Sequence, residues 1–210
     1  NVSQYAYKNI LLFGFDDFYK DWKIVESDNF RFHFQDMSDS DIKDYISTRE
    51  ETFYNINNFF NSKLPKKIDF FVWKSREDAK NLLKTNLGFA DPGCCNVHSH
   101  YQQTKGHEMA HVISYYSTRI INRTGLINEG TAVCFDQANR NKEQIVRDWV
   151  KANDKKISIG EIWANWKNYT EDLTYPLSGL FVKELIDTFG KEKFIEFFSN
   201  QTYENAKLVF

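Results

Sequence analysis

The chain has 210 residues, a formal net charge of -2, 41% hydrophobic and 17% aromatic side chains, which agrees with one compact domain around a substantial core. Its near-neutral charge, with no basic cluster interleaved with aromatics, leaves no electrostatic footprint for nucleic acid. No apolar run approaches the length that spans a bilayer.

The sequence starts at Asn1 rather than Met. An upstream segment, such as a secretory or lipoprotein signal, is therefore expected to have been removed or omitted, and the expected location is secreted, periplasmic or at the cell surface. Residues 1–29 read as an N-terminal extension.

Phe30-Arg31-Phe32-His33-Phe34 alternates as a strand, with His33 on its outward face. From Ser40 to Asn61 apolar positions recur at helical spacing. Pro65 marks a turn before a central strand, Lys67 to Trp73. Glu77 to Thr85 reads as a helix and Gly88 to Gly93 as a loop. A short strand then runs through Cys95-Asn96-Val97-His98-Ser99-His100. Of the three cysteines, neighbouring Cys94 and Cys95 are poorly placed to bridge each other. Either one of them pairs with Cys134 in an oxidising compartment, or all three are reduced, small apolar residues.

The next segment, Gly106-His107-Glu108-Met109-Ala110-His111, carries the strongest chemical signal. On a helix, imidazoles four residues apart share one face, and two neutral rings projecting together can bind one Zn²⁺. Glu108 leans toward the same side, where it can take a proton from a water on that metal. A four-coordinate catalytic zinc needs a third protein ligand and one open position. Leu126-Ile127-Asn128-Glu129-Gly130-Thr131-Ala132 supplies the ligand as Glu129. Asn128 is expected to cap this helix, and Gly130 and Ala132 to let it press closely against the first. Asn122-Arg123-Thr124-Gly125 has the composition of the turn between the two. A structural zinc site would fill all four positions with protein ligands, and no fourth is evident at metal-like spacing.

The remainder reads as helical: Lys142 to Ala152, Ile159 to Trp166, Leu177 to Phe189 and Glu192 to Ser199, with Gly190 ending the third. Trp149, Trp163 and Trp166 either wall a cleft or, as large aromatics at helical spacing, fill the core.

These residues resemble the gluzincin metallopeptidases, including peptidase MA-like domains and the thermolysin and aminopeptidase relatives. His107, Glu108 and His111 match the HExxH helix of that group, and Asn128-Glu129-Gly130 with Ala132 matches its Asn-Glu-Gly-x-Ala segment. The step from His111 to Glu129 is one residue shorter than in the aminopeptidase branch, which bears on branch rather than on metal binding. The resemblance implies an α+β zincin-like domain over residues 1–210. It would have a small mixed sheet, an edge strand above the HExxH helix and a mostly helical C-terminal half. It also implies Zn²⁺ held by His107, His111 and Glu129, with Glu108 as general base.

Asp136, two helical turns beyond Glu129, falls where similar gluzincins place an acid that holds a ligand imidazole; otherwise it is a solvated helix-end acid. Tyr175 resembles the tyrosine that stabilises the oxyanion, against the alternative of a packing residue at a helix start. The strand before the metal helix is an edge in zincins, so His98 and His100 are expected to border the substrate; exposed loop histidines are the alternative. The implied activity is hydrolysis of peptide or protein substrates by a zinc-activated water. The Gly-x-Met-Glu-Asn strand that grips a free N-terminus is absent, which favours endopeptidase action. The alternative is a catalytically inactive zincin-fold binding or accessory module, against which the intact Glu108 speaks. Oligomeric state is not legible.

Overall fold

Three parallel strands, β2 (Phe30–Phe34), β3 (Ile68–Trp73) and β5 (Asn96–His100), form the centre of a five-stranded mixed sheet. β1 (Lys23–Glu26) pairs antiparallel with β2 at one edge, and β4 (Phe89–Asp91) pairs antiparallel with β5 at the other, giving the order β1-β2-β3-β5-β4. The computed structural model describes residues 4–15, 17–83, 88–154 and 156–210. The fold class is α+β, as expected.

Side-chain alternation sorts the sheet into two faces. Phe30, Phe32, Phe34, Ile68, Phe70, Val72 and Val97 point into the main core. Phe71 and Trp73 point the other way, into a smaller cluster with Leu11, Leu12, Tyr19, Trp22, Ala79 and Leu83. That second layer comes from α1 (Gln4–Leu12) and α3 (Arg76–Leu83). The α1 helix and strand β1 lie within the stretch expected to be an extension. The chain before Phe30 is thus an integral layer of the fold, because Leu11, Leu12, Tyr19 and Trp22 supply much of the apolar cover that Phe71 and Trp73 need.

The main face is covered first by α2 (Asp39–Phe60). Its N-cap Ser38 accepts a hydrogen bond from the Asp41 amide, and left-handed Asn61 (φ 52°) ends it. Ile42, Tyr45, Phe53, Ile56 and Phe60 form its buried stripe. After β5 the chain is helical: α4 (His107–Tyr115), α5 (Gly125–Phe135), α6 (Lys142–Asn153), α7 (Ile159–Asn165), α8 (Glu171–Phe189), α9 (Lys191–Phe198) and α10 (Tyr203–Val209). Among the described residues, no helix is long and apolar enough to cross a membrane.

Two element boundaries differ from expectation for identifiable reasons. The stretch read as a Gly88–Gly93 loop contains β4. Its three residues between Gly and Pro carry no strand signal of their own and are held by pairing with β5. The helix expected from Leu177 begins at Glu171 and carries Pro176 inside it, without that residue's own backbone bond. The first turn is closed by Leu173 and Thr174 donating to the Thr170 carbonyl. The helix expected to end at Thr85 is seen to Leu83, and residues 84 and 85 lie outside the described residues. All three cysteines carry free thiols, Cys94 exposed and Cys95 buried.

Candidate metal centre

Gly106 precedes the metal helix with φ +116°, and a Cβ there would lie 2.4 Å from the Phe135 carbonyl oxygen. Only glycine allows both the backbone angle and this approach, so the start of α4 is seated against the end of α5. His107 and His111 project from successive turns of α4 with ring centroids 5.0 Å apart. Glu129, on α5, reaches between them: its Oε2 lies 3.4 Å from the Nε2 of each imidazole. The three ligand atoms lie within 4.8 Å of one another.

The 3.4 Å separations are longer than a charge-assisted hydrogen bond, about 2.7–2.9 Å. They match the edge of a tetrahedron whose corners stand about 2.1 Å from its centre, the bond length of zinc to nitrogen or carboxylate oxygen. Two neutral nitrogens and one carboxylate oxygen are also the donor types that suit a borderline divalent ion. The residues present therefore fit a metal with one corner left for solvent or substrate.

Electrostatics among these side chains follow from burial and proximity. Burial alone would raise the Glu129 pKa, but the polar contact and charge of His107 and His111 hold its carboxyl well below the usual range. His107 is pulled the opposite way: burial lowers its pKa, and Glu129, Glu108 and Asp136 overcome that and raise it. Glu108 is raised, chiefly by burial, with the two imidazoles opposing. It lines the same small cavity of about 230 Å³ as the ligands, together with Gly88, Phe89, Ala90, Pro92, Arg123, Asn128 and Tyr175.

Tyr175 lies on α8 beside the ligands, its ring centroid 5.9 Å from that of His107 and 6.4 Å from that of Trp166. Burial, the Glu129 charge and a hydrogen bond with Glu129 raise its pKa, so its hydroxyl stays protonated and able to donate. Asp136 follows the last residue of α5 instead of lying within the helix. Its charge acts on His107 and Glu108, and its buried Oδ1 has no hydrogen-bond partner. A buried carboxylate oxygen without a donor is costly, and an imidazole N–H turned toward it would satisfy it.

Two expected roles are corrected. Asn128 does not cap α5: Thr124 does, four residues earlier, and Asn128 sits a turn inside the helix. There its amide contacts His111 Nδ1 at 3.2 Å, so it holds a ligand ring. Gly130 does not face α4. A Cβ on it would lie 2.6 Å from the Ser178 carbonyl oxygen, so the close approach it permits is between α5 and α8.

His98 and His100 do not border the cleft. β5 is interior, and these side chains alternate onto the sheet face opposite the metal helix. His98 is fully buried: Trp73 Nε1 donates to its Nδ1 at 3.1 Å, and its Nε2 lies 2.9 Å from the Leu12 carbonyl oxygen. His100 accepts from Arg76 Nε at 3.1 Å. His33 does face away from the main core, but it is covered rather than outward. It stacks on Phe71 at 4.3 Å, with Nε2 3.2 Å from Asp69 Oδ1. The strand that borders the cleft is β4, through Phe89 and Ala90. Trp163 belongs to the core and donates to the Gln201 carbonyl, whereas Trp166 stands beside Tyr175.

A larger cavity, about 610 Å³, opens on the far side of the sheet between the Phe13–Phe15 segment, Arg31, Asp69 and Cys94. Among the described residues it contains no metal-ligating set; the set of His107, His111 and Glu129 lines the smaller one. No protein-family model matches this chain, and no curated protein is similar enough to count as a relative.

Proposed function

We propose that this chain is a zinc metallopeptidase of the gluzincin type with a zincin-like fold, acting as an endopeptidase. The observation that carries the reading is Glu129 Oε2 standing 3.4 Å from both His107 Nε2 and His111 Nε2, with Glu108 and Tyr175 lining the same cavity. His107, His111 and Glu129 would hold the ion. When bound, zinc supplies a Lewis acid for the scissile carbonyl and acidifies water.

The chain's own residues perform the remaining work. Glu108 accepts a proton from the attacking water and delivers it to the leaving amine, and its buried setting raises its basicity toward working pH. The Tyr175 hydroxyl donates to the oxyanion that develops on the carbonyl. Asn128 and Asp136 orient the ligand imidazoles. The edge of β4 not paired with β5 offers backbone groups to an extended substrate, as a sheet edge does for an added strand.

Metal analysis of the purified chain and a broad peptide-library digest, with and without chelator, test the reading. Zinc at one equivalent and chelator-sensitive cleavage within peptides are expected. Glu108→Gln should retain the metal and lose about 10²–10⁴-fold in kcat. Metal binding without any cleavage by the intact chain would identify a zinc-holding binding module instead.

A further inference from the structure

Among the described residues, one permanent cation lines the cleft. Of the described residues that line it, only Arg123 is a lysine or arginine. The carboxylates of Glu108, Glu129 and Asp136 act on the metal-ligand cluster, whereas none of them pairs with the Arg123 guanidinium, which leaves its donors to a ligand. Among the described residues it has no carboxylate partner; its contact is with the Tyr115 ring, whose centroid lies 5.4 Å from the guanidinium carbon.

The backbone that carries Arg123 is fixed. Asn122 accepts from the Gln201 amide at 3.0 Å, and its side-chain amide donates to Asn200 Oδ1 at 2.8 Å. The Thr124 amide donates to Gln201 Oε1 at 2.9 Å, and Gln201 is fully buried. The turn between the two ligand-bearing helices is therefore clamped to the segment joining α9 and α10, which fixes the backbone from which the exposed Arg123 side chain reaches the cleft. A guanidinium presents paired N–H donors that match a carboxylate, and pre-placement lowers the ordering cost of binding one.

We propose that Arg123 is a specificity-determining residue that binds a substrate carboxylate, so that this chain acts on peptide bonds close to an acidic side chain or a free C-terminus. The proposal rests on the metallopeptidase reading and names the substrate class of that site. Both sources present the same group, and the test separates them.

The zinc-loaded full chain is titrated with two peptide hydroxamates that differ only in carrying Glu or Gln. In parallel, it is assayed on cleaved peptides paired as Glu against Gln and as C-terminal acid against amide. Binding of the Glu hydroxamate is expected to be roughly 10–100-fold tighter, the range of a hydrogen-bonded charge pair. Arg123→Gln should abolish that preference while leaving the Gln hydroxamate and the unfolding temperature unchanged, and Arg123→Lys should restore part of it. A preference for Glu over Gln assigns the carboxylate to a side chain, and a preference for acid over amide assigns it to the C-terminus.

Equal binding of both hydroxamates together with equal cleavage of C-terminal acid and amide, or a loss in Arg123→Gln that is the same for peptides with and without a carboxylate, overturns the proposal. Discrimination between hydroxamates without cleavage of any peptide would sustain the carboxylate site and remove the peptidase reading. Cleavage indifferent to every carboxylate would do the reverse.

Discussion

At the scale of single residues, the centre depends on how one carboxylate is shared. Glu129 Oε2 stands 3.4 Å from the Nε2 of both imidazoles, nearer to neither. That position suits a cation at the common focus. Asn128, its neighbour in sequence, completes the arrangement from the same helix by touching His111 Nδ1. With Nε2 committed to a metal, Nδ1 carries the ring proton, and a half-turn of the amide presents Oδ1 to accept it. Asn128→Leu should therefore weaken zinc binding by about 10–100-fold, as for other residues that orient a ligand imidazole. Competition against a chromophoric chelator measures this. The cluster of His107, His111 and Glu129 was legible because its spacing is chemical. The role of Asn128 was not, since an asparagine before a helical glutamate also reads as a cap, and only the position of Thr124 decides between them.

At the scale of elements, the site is a product of close helix packing. A Cβ at Gly130 would meet the Ser178 carbonyl at 2.6 Å and Val182 Cγ2 at 2.7 Å, and one at Gly179 would meet Val133 at 2.4 Å. Glycines thus set α5 against α8 from both sides, which brings Glu129 and Tyr175 into one cavity. Gly130→Val should destabilise the fold by about 1–3 kcal/mol, read from denaturant midpoints, because it overpacks a rigid contact. The same variant should lower metal affinity by displacing the adjacent Glu129. The helices were visible from periodicity, whereas the partner of the Gly130 face was not. Small residues announce a close approach without naming the element that approaches. Likewise β4 is too short to signal itself, and its pairing with β5 moves the sheet edge one strand outward, taking His98 and His100 away from the cleft.

At the scale of the whole molecule, two apolar layers clasp one sheet, and His98 ties the smaller layer down. It accepts from Trp73 through Nδ1, so Nε2 carries the proton and donates to the Leu12 carbonyl of α1. Burial lowers its pKa to about 4. Because the folded value lies below the unfolded one, the unfolded chain takes up the proton first on acidification. The associated stability is complete above about pH 6.5 and is lost as pH falls toward 4. Between pH 7 and pH 5 the loss should be about 2 kcal/mol. Denaturant unfolding at both pH values should show it, with a smaller pH dependence in His98→Gln. The difference between the two proteins isolates His98 from His107, whose raised pKa acts in the opposite sense in the metal-free chain.

The sequence by itself determined the local chemistry: two imidazoles and a carboxylate on one short helix, a second carboxylate on the next, and the alternation of β2 and β3. These follow from periods of about four and two residues, which belong to the backbone and require no knowledge of neighbours. Only the tertiary structure decided that residues before Phe30 form a layer of the fold, that β5 lies inside the sheet, and that Arg123 stands at the cleft. Those facts depend on which surfaces meet, and burial of apolar area chooses partners without regard to distance along the chain.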